Sequence, residues 1–177
     1  EKKLRRDQPE LKGSCESLLG DIDAVIENVR RLSWDLSPSI LEDLGLGSSL
    51  KYLVQETCRN HHMLHKVSID EIDQLFSPEA QINIYRIFQE SLTNIVRHAD
   101  AARISVKIKR EGNHVSFLIK DNGKGFDLKK ARSRALGKRG LGLTTMHERA
   151  LLAGGTLDIW SQKDKGTAIK LTVPLQP

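Results

Sequence analysis

The sequence YRIFQESLTNIVRHADA, residues 85–101, indicates one helix with two different faces. Apolar residues recur at three- and four-residue steps, the spacing of a helix face that packs into a core. They are Ile84, Ile87, Phe88, Leu92, Ile95 and Ala99. A second, polar face repeats at every fourth position and carries Arg86, Glu90, Asn94 and His98. By itself this polar face also fits ordinary side-chain pairs on a solvated helix, so the segments that follow decide its meaning.

Signals before this stretch mark where the helix begins. Ser77 is suited to the N-cap position and Pro78 to the first helical position. We therefore predict a helix over residues 77–99.

Composition limits the classes of function. The 177 residues include 28 Lys and Arg and 23 Asp and Glu, and the net charge of +5 fits a phosphate-bearing partner without requiring nucleic acid. Cys15 and Cys58 both lie in helical patterns, which indicates reduced thiols rather than a disulfide framework. No apolar run has the length of a membrane span, and there is no signal peptide. We expect a cytoplasmic chain, with the sensor and any membrane anchor upstream in a longer protein.

Residues 1–65 have a helical pattern. Residues 11–36 repeat apolar side chains at alternating four- and three-residue steps, which is typical of a coiled coil or a four-helix bundle. We favour a homodimer through this segment over an intramolecular helical hairpin, because so narrow an apolar face needs a partner helix. Ser37-Pro38 ends the helix, residues 40–47 (ILEDLGLG) form a connection, and a second helix runs from Ser48 or Ser49 to about residue 62.

From residue 66 the apolar period changes to that of strands. Short strands are predicted near residues 67–69 and at 104–110, 114–120, 156–160 and 167–173, with a further helix over 141–153. We predict an α+β fold in residues 66–177, a two-layer sandwich with helices on one face of a mixed, mostly antiparallel sheet. The helical region in residues 1–65 precedes it.

Three glycine-rich segments follow the central helix, and each has an ordinary explanation when taken alone. DNGKGF (residues 121–126) follows a strand; a carboxylate beside glycines suits recognition of a ring amine, although Asp-Asn-Gly is also a common turn. GLGL (residues 140–143) opens a helix, where free amides form an anion site, although simple helix starts are common. Gly166-Thr167 at the last strand indicates only a hairpin.

The ordered combination of these motifs is specific. Glu90-(x)3-Asn94-(x)3-His98, followed by DNGKGF, GLGL and Gly166-Thr167, resembles the ATP-binding domain of sensor histidine kinases over residues 66–177. The same fold occurs in gyrase, a heat-shock chaperone and mismatch-repair ATPases. SPSILEDLGLGSSL (residues 37–50) and GLTTMHERALLAGG (residues 142–155), together with the central helix, are similar to the nitrate/nitrite-sensor branch of bacterial two-component kinases.

The resemblance implies how the cofactors ATP and Mg²⁺ would be held. Asn94 would bind the Mg²⁺ ion that bridges the ATP phosphates, an ion that keeps several waters and needs few protein ligands. Glu90 would be the catalytic residue, orienting a metal-bound water or helping to activate the acceptor. Asp121 would accept the adenine amino hydrogen, and Thr167 would assist through water. The further ATP-binding positions are Gly123 and Gly125 at the base, Gly140, Leu141 and Gly142 at the phosphates, and His98 near phosphate or ribose.

A structural role is an equal alternative for His98 and for its neighbour Arg97. Residues 127–139, DLKKARSRALGKR, correspond to the mobile lid over ATP in this family. The alternative is a solvated basic loop. We expect no nucleic-acid partner, because no aromatic residue lies among these charges to stack bases.

The phosphate acceptor of the family is a histidine on the first helix of a dimeric four-helix bundle. No histidine precedes His61, and His61, His62 and His65 match no acceptor motif. We therefore predict a catalytic fragment whose acceptor helix is absent, with residues 11–36 as the second bundle helix and residues 37–65 as the connection.

Such a fragment would bind Mg-ATP without phosphorylating itself. It would transfer the γ-phosphate to a histidine on a helix of the full-length kinase, for relay to a response-regulator aspartate. Two alternatives use the same fold: a non-catalytic ATP-sensing or partner-binding module, and an anti-sigma-type serine kinase, which lacks the heptad helix and the LEDLGLG connection.

Overall fold

The computed structural model describes residues 39–128 and 141–175. The predictions for the heptad segment (residues 11–36), for residues 129–139 of the lid and for Gly140 therefore lie outside the described residues. Of two units into which the chain divides, the second, Ser39–Pro177, contains everything described below.

Helices and strands alternate much as the sequence predicts. In chain order they are α1 (Ser39–Asn60), β1 (Leu64–Ile69), α2 (Pro78–Asn94) continued by a π-helical turn (Ile95–Ala99), β2 (Arg103–Glu111), β3 (His114–Asp121), α3 (Leu141–Leu152), β4 (Thr156–Ser161) and β5 (Thr167–Pro174).

The strands form one mixed sheet in the order β1-β2-β3-β5-β4. β1 pairs in parallel with β2 across the α2 crossover, and the other neighbours are antiparallel. Alternate side chains of the strands are buried, so one face of the sheet carries the core and the other faces solvent. The helices cover the buried face, with α2 contacting both α1 and α3. The predicted α+β sandwich is confirmed.

The central helix forms as its sequence signals indicate. Ser77 is the N-cap, and its side chain accepts a hydrogen bond from the Ala80 backbone amide at 3.3 Å. The apolar face is buried: Ile84, Ile87, Phe88 and Leu92 are all at most 2% exposed. Phe88 packs edge to face against Phe117 of β3, with ring centroids 6.2 Å apart. This contact packs the helix against the middle of the sheet.

Helix α1 begins earlier than predicted and belongs to the same core. Of the predicted connection (residues 40–47), only Gly45 departs from helical geometry. Its φ of 75° and ψ of 169° break the helix. The Asp73 carboxylate accepts a hydrogen bond from the Gly47 amide at 2.8 Å and caps the second part. Leu46, Leu50, Val54 and Cys58 are at most 1% exposed. The packed unit therefore starts at Ser39, before the predicted boundary at residue 66.

Burial has a chemical consequence at Cys58. Desolvation raises the pKa of its thiol, because burial disfavours the charged thiolate. The side chain is fully buried and behaves as a small apolar residue of the core, in agreement with a reduced thiol.

We expect Leu50→Ala to lower the free energy of unfolding by about 2–5 kcal/mol, since it leaves a cavity at a fully buried position. Urea denaturation followed by circular dichroism measures this. Tyr52→Ala is the control in the same helix, because Tyr52 is 51% exposed. A change below about 1 kcal/mol for Leu50→Ala would contradict the packing of α1 in this core.

Candidate active site

Glu90 and Asn94 lie one helical turn apart near the C-terminal end of α2. The Asn94 side-chain nitrogen Nδ2 donates a hydrogen bond to Glu90 Oε1 at 3.0 Å, and both residues are half-buried. This contact uses the amide nitrogen of Asn94. Its amide oxygen is therefore the atom left to accept a hydrogen bond or to ligate a hard cation.

Gly142 brings the start of α3 against this pair. A Cβ atom at Gly142 would collide with Glu90 Oε1 and would lie 3.8 Å from Asn94 Nδ2. A residue without a side chain therefore lets the first turn of α3 approach the carboxylate and the amide without displacing the Glu90 side chain. The N-terminus of a helix presents unpaired backbone amides, and an anion bound to them would lie beside Glu90 and Asn94.

A buried contact holds the two helices in this arrangement. The Ser91 hydroxyl donates to the Ile87 carbonyl at 2.6 Å and lies 3.5 Å from the Met146 sulfur of α3. Ser91 and Met146 are fully buried. Packing between α2 and α3 thus fixes the position of the α3 N-terminus relative to Glu90.

A second group of residues lies around the loop that follows β3. Asp121 ends β3 and is 9% exposed; its Oδ1 accepts a hydrogen bond from the Gly123 amide at 2.8 Å. The second carboxylate oxygen remains to accept from the amino group of a ligand. A Cβ at Gly123 would collide with the Ala99 carbonyl oxygen, which accepts a hydrogen bond from the Lys124 amide at 2.7 Å. The loop therefore lies against the end of the central helix.

The Asn122 side chain fixes the loop from the β2 side. Its Oδ1 accepts hydrogen bonds from the backbone amides of Ala102 and Arg103, at 3.1 and 2.8 Å. The backbone amide of Asn122 also donates a hydrogen bond to the Arg103 carbonyl, at 3.2 Å. These bonds join the residue next to Asp121 to the first residues of β2.

The β4–β5 hairpin fixes the loop from the other side. The Asp164 amide donates to the Lys124 carbonyl at 2.6 Å, and the Phe126 amide donates to the Ser161 hydroxyl at 2.9 Å. Gly125 has a φ of +54°, and a Cβ there would collide with the Gln162 carbonyl. The loop after β3, residues 122–126, which we call the base loop, is therefore held at several points by backbone and side-chain hydrogen bonds.

Thr167 begins β5 and contacts Ser161, which accepts a hydrogen bond from Phe126 of this loop. Its hydroxyl lies 3.1 Å from the Ser161 hydroxyl. Asp121, Ser161, Gly166 and Thr167 line one open depression of about 390 Å³, which is also lined by Lys120 near the end of β3 and Trp160 near the end of β4. The structure thus brings together the first and third of the predicted glycine segments.

The two groups lie along the same helix. Glu90 and Asn94 form the first group. The second group, around the base loop, contacts Ala99, which is nine residues beyond Glu90 and therefore roughly 13 Å farther along the helix axis. A ligand that reaches from Asp121 to Gly142 would therefore extend along the second half of α2, with the Asp121 carboxylate at one end and the first turn of α3 at the other.

The position of His98 differs from the fourth-residue spacing that the sequence suggests. Residues 95–99 are π-helical rather than α-helical, so the spacing that aligns Glu90 with Asn94 does not continue to His98. Both His98 and Arg97 are exposed. A ligand role for His98 stays a prediction, as do those of the Leu141 and Gly142 amides; Leu141 is the first residue of α3.

Sequence reasoning assigned no role to three residues that hold the site in place. They are Asn122, Ser161 and Met146. The signal for Asn122 was its place inside DNGKGF, whereas a lone serine in a strand gives no comparable signal.

This geometry matches what comparison with known proteins finds. Residues 79–177 match the family of histidine kinase-, DNA gyrase B-, and HSP90-like ATPases. The chain belongs to this family. The match includes α2, the base loop, α3 and the last hairpin, so it spans every element of the site described above.

The relatives are sensor histidine kinases, as the resemblance implied. The oxygen sensor histidine kinase NreB of Staphylococcus carnosus is 32% identical over 98% of this chain and 49% of its own length. The histidine-protein kinase/phosphatase DegS of Bacillus subtilis is 38% identical over 78% of this chain and 36% of its own. The chain therefore spans half or less of these relatives.

Solved structures agree on the fold. The mycobacterial sensor histidine kinase MprB aligns with a TM-score of 0.58 at 19% identity, covering 73% of this chain and 94% of that one. A blue-light activated histidine kinase of Erythrobacter litoralis aligns with a TM-score of 0.57 at 18% identity, covering 72% of this chain and 61% of the matched domain. In the part of the chain described here, no helix has the length and apolarity needed to cross a membrane.

Proposed function

We propose that this chain is the ATP-binding catalytic part of a sensor histidine kinase, which transfers the γ-phosphate of ATP to a histidine outside this chain. The observation that carries the proposal is the approach of Gly142 to the Glu90–Asn94 pair. Helix amides, a carboxylate and an amide oxygen would then meet the phosphates of ATP, and Asp121, which follows β3, would meet the base. Phosphoryl transfer requires chiefly positioning and charge stabilisation, and these groups supply both.

The residues present fit a Mg²⁺ ion held jointly with ATP. Among the described residues, no group of three or more His, Cys, Asp or Glu side chains could hold a metal alone. Asn94 offers one amide oxygen, and phosphate oxygens and water would complete the shell, as this ion prefers. When bound, the ion neutralises charge on the phosphates. Glu90 holds Asn94 in place and remains able to take a proton from, or orient, the attacking group.

The environment of Asp121, where the base would bind, supports ATP as the nucleotide. One oxygen of Asp121 is occupied by the Gly123 amide, and the other can accept from the adenine amino group. A carboxylate repels the carbonyl oxygen that guanine carries at the same ring position, so adenine is favoured.

Further parts of the proposal concern partners. The acceptor histidine would lie on a helix of the full-length kinase, and the phosphoryl group would pass to a response-regulator aspartate. Association through residues 11–36, closure of the lid and a cytoplasmic location stay predictions.

Calorimetric titration with ATP, with and without Mg²⁺, tests the proposal. We expect Asn94→Ala to remove the dependence of binding on Mg²⁺. We expect Asp121→Asn to weaken binding roughly 10- to 100-fold, because the new side-chain NH₂ group is a donor. It would face either the amino group of the base or the Gly123 backbone amide, and in either case two donors meet and one is left unpaired.

Each variant has a matched control away from the site. Asn60→Ala removes an Asn–Glu pair of the same spacing in α1, where Asn60 Nδ2 lies 3.3 Å from Glu56 Oε1. Asp158→Asn alters an exposed carboxylate of β4. Unchanged ATP binding in Asn94→Ala and Asp121→Asn would reject the site. ATP binding without phosphoryl transfer to any supplied histidine-bearing helix would favour the ATP-sensing module instead.

A further inference from the structure

The solvent-facing side of the sheet, which we call the basic face, carries lysines on several neighbouring strands. The pairing register aligns its side chains in rows across the sheet. One row, from β1 across to β4, contains Lys66, Ser105, Lys120, Ala168 and Trp160. The next row contains Ser68, Lys107, Leu118, Lys170 and Asp158. Lysines therefore alternate with other, mostly small side chains over five strands, a width of about 19 Å.

The charge on the basic face is mainly of one sign. Its six cations are Lys66, Arg103, Lys107, Lys109, Lys120 and Lys170, and its two carboxylates are Glu111 and Asp158. The resulting net charge of +4 compares with +5 for the whole chain. Within the described residues, no ion pair joins these lysines to a carboxylate. Solvated surfaces ordinarily mix both signs, so a field of one sign favours an anionic partner.

Exposed apolar side chains lie at the two edges of this face. Trp160 of the edge strand β4 is 52% exposed. Leu64 of the opposite edge strand, β1, is 65% exposed and precedes Lys66 by two residues, so both lie on the same face. Lys107 and Lys120, on the strands between these edges, are also exposed. The basic face therefore has cations in its middle and apolar groups at its rim.

This layout distinguishes between classes of anionic partner. Interfaces between proteins have an apolar centre, a polar rim and few lysines, which is the reverse of the arrangement here. Phosphate and nucleic-acid sites favour the arginine fork, and single-strand sites stack bases on aromatic rings. Five of the six cations here are lysines, and Trp160 is the only Trp, Tyr or Phe among the described residues of this face. The arrangement does not suit those partners.

An anionic lipid surface suits the same arrangement. Lysine is a compact point charge on a flexible stem, and basic side chains close to a bilayer are attracted by the diffuse negative charge of its headgroups. Tryptophan is enriched at the level of the headgroups, where its ring meets both apolar and polar surroundings.

We propose that the basic face binds the surface of an anionic lipid bilayer, with its lysines over the headgroups and with Trp160 and Leu64 at the interfacial level. Glu90 and Asn94 belong to α2, on the opposite side of the sheet, so a membrane-bound molecule would leave them accessible. The inference goes beyond the proposed function and does not depend on it, because it requires no nucleotide.

Sedimentation of the full chain with lipid vesicles tests the proposal. The vesicles contain either phosphatidylcholine alone or an equimolar mixture with phosphatidylglycerol. We expect binding to the anionic vesicles only, and weaker binding as the salt concentration rises. Changing Lys66→Gln and Lys107→Gln together should lower the affinity roughly 30-fold, the loss expected when two lysines at the membrane surface are neutralised.

The matched control removes the same charge from the helical layer. Lys51→Gln and Arg59→Gln together neutralise two exposed cations of α1. This double variant should lower the affinity less than about threefold, because charges away from the bilayer are screened by salt. Equal losses in the two double variants would show that total charge attracts the lipid, and would overturn the proposal.

The fluorescence of Trp160 reports independently which face meets the bilayer. With Trp34→Phe in the background, Trp160 is the only tryptophan of the chain, and its emission should shift to shorter wavelength on anionic vesicles. Trp160→Ala should weaken vesicle binding, whereas Leu151→Ala, at an apolar position of α3 that is 71% exposed, should not. This measurement keeps both lysines and stays decisive if the lysine variants do not fold.

Three further outcomes would overturn the proposal. The first is an absence of binding to anionic vesicles, and the second is an unchanged Trp160 emission when the protein is bound to them. The third is binding of a single-stranded oligonucleotide or an acidic protein without binding to vesicles, which would assign the basic face to a different class of partner.

Discussion

Gly166→Ala is expected to lower the free energy of unfolding by about 2–5 kcal/mol and to weaken ATP binding. Two costs add. The residue has a φ of +73°, where an L side chain costs about 1–2 kcal/mol. A Cβ would also collide with the Asp121 carbonyl oxygen and lie 3.2 Å from the Asn122 Cα, and such overpacking costs about 1–3 kcal/mol. Urea denaturation measures the first effect and calorimetry the second.

Gly154→Ala is the matched control for this prediction. Gly154 has the same φ of +73°, but no atom lies within 4 Å of a Cβ built there. It should therefore show the conformational cost alone and leave ATP binding intact. Equal losses in the free energy of unfolding of the two variants would contradict the close contact between the start of β5 and Asp121.

Gly142→Ala should have the opposite effect on stability and activity. The variant should fold normally but turn over ATP slowly. The added methyl meets Glu90 Oε1, which is the end of a flexible side chain and can move away. Alanine also favours the helix by about 1 kcal/mol relative to glycine, so stability should be kept or slightly increased. The displaced carboxylate would lose its bond to Asn94, and misplacement of about 1 Å can cost roughly 100-fold in rate.

The readouts for Gly142→Ala are the melting temperature and the release of ADP, with a histidine-bearing helical domain supplied separately. Glu90→Gln is the companion variant, because it keeps an oxygen that can accept from Asn94 but removes the charge. A similar loss of rate in both variants would indicate that Gly142 acts through the Glu90 carboxylate. Full activity of Gly142→Ala would show that the close approach of α3 to Glu90 has no part in catalysis.

Local periodicity in the sequence was enough to predict the central helix, its Ser77 cap and the four strands from residue 103 onward. A four-residue step within one helix also placed Glu90 beside Asn94. These features depend on residues close in the chain, where backbone geometry determines which side chains share a face. The ordered motifs added the family, because four separate signals at matching separations rarely coincide.

Only the tertiary structure decided which distant segments meet. It placed Gly142 against Glu90 and Ser161 between Phe126 and Thr167, and it packed α1 into the core where the sequence suggested a connection. It also introduced the π-helical turn that alters the spacing of His98. The physical reason is that local sequence determines the period of a segment, whereas contacts between segments depend on how complete faces pack together. A single glycine or serine at such a contact carries no periodic signal of its own.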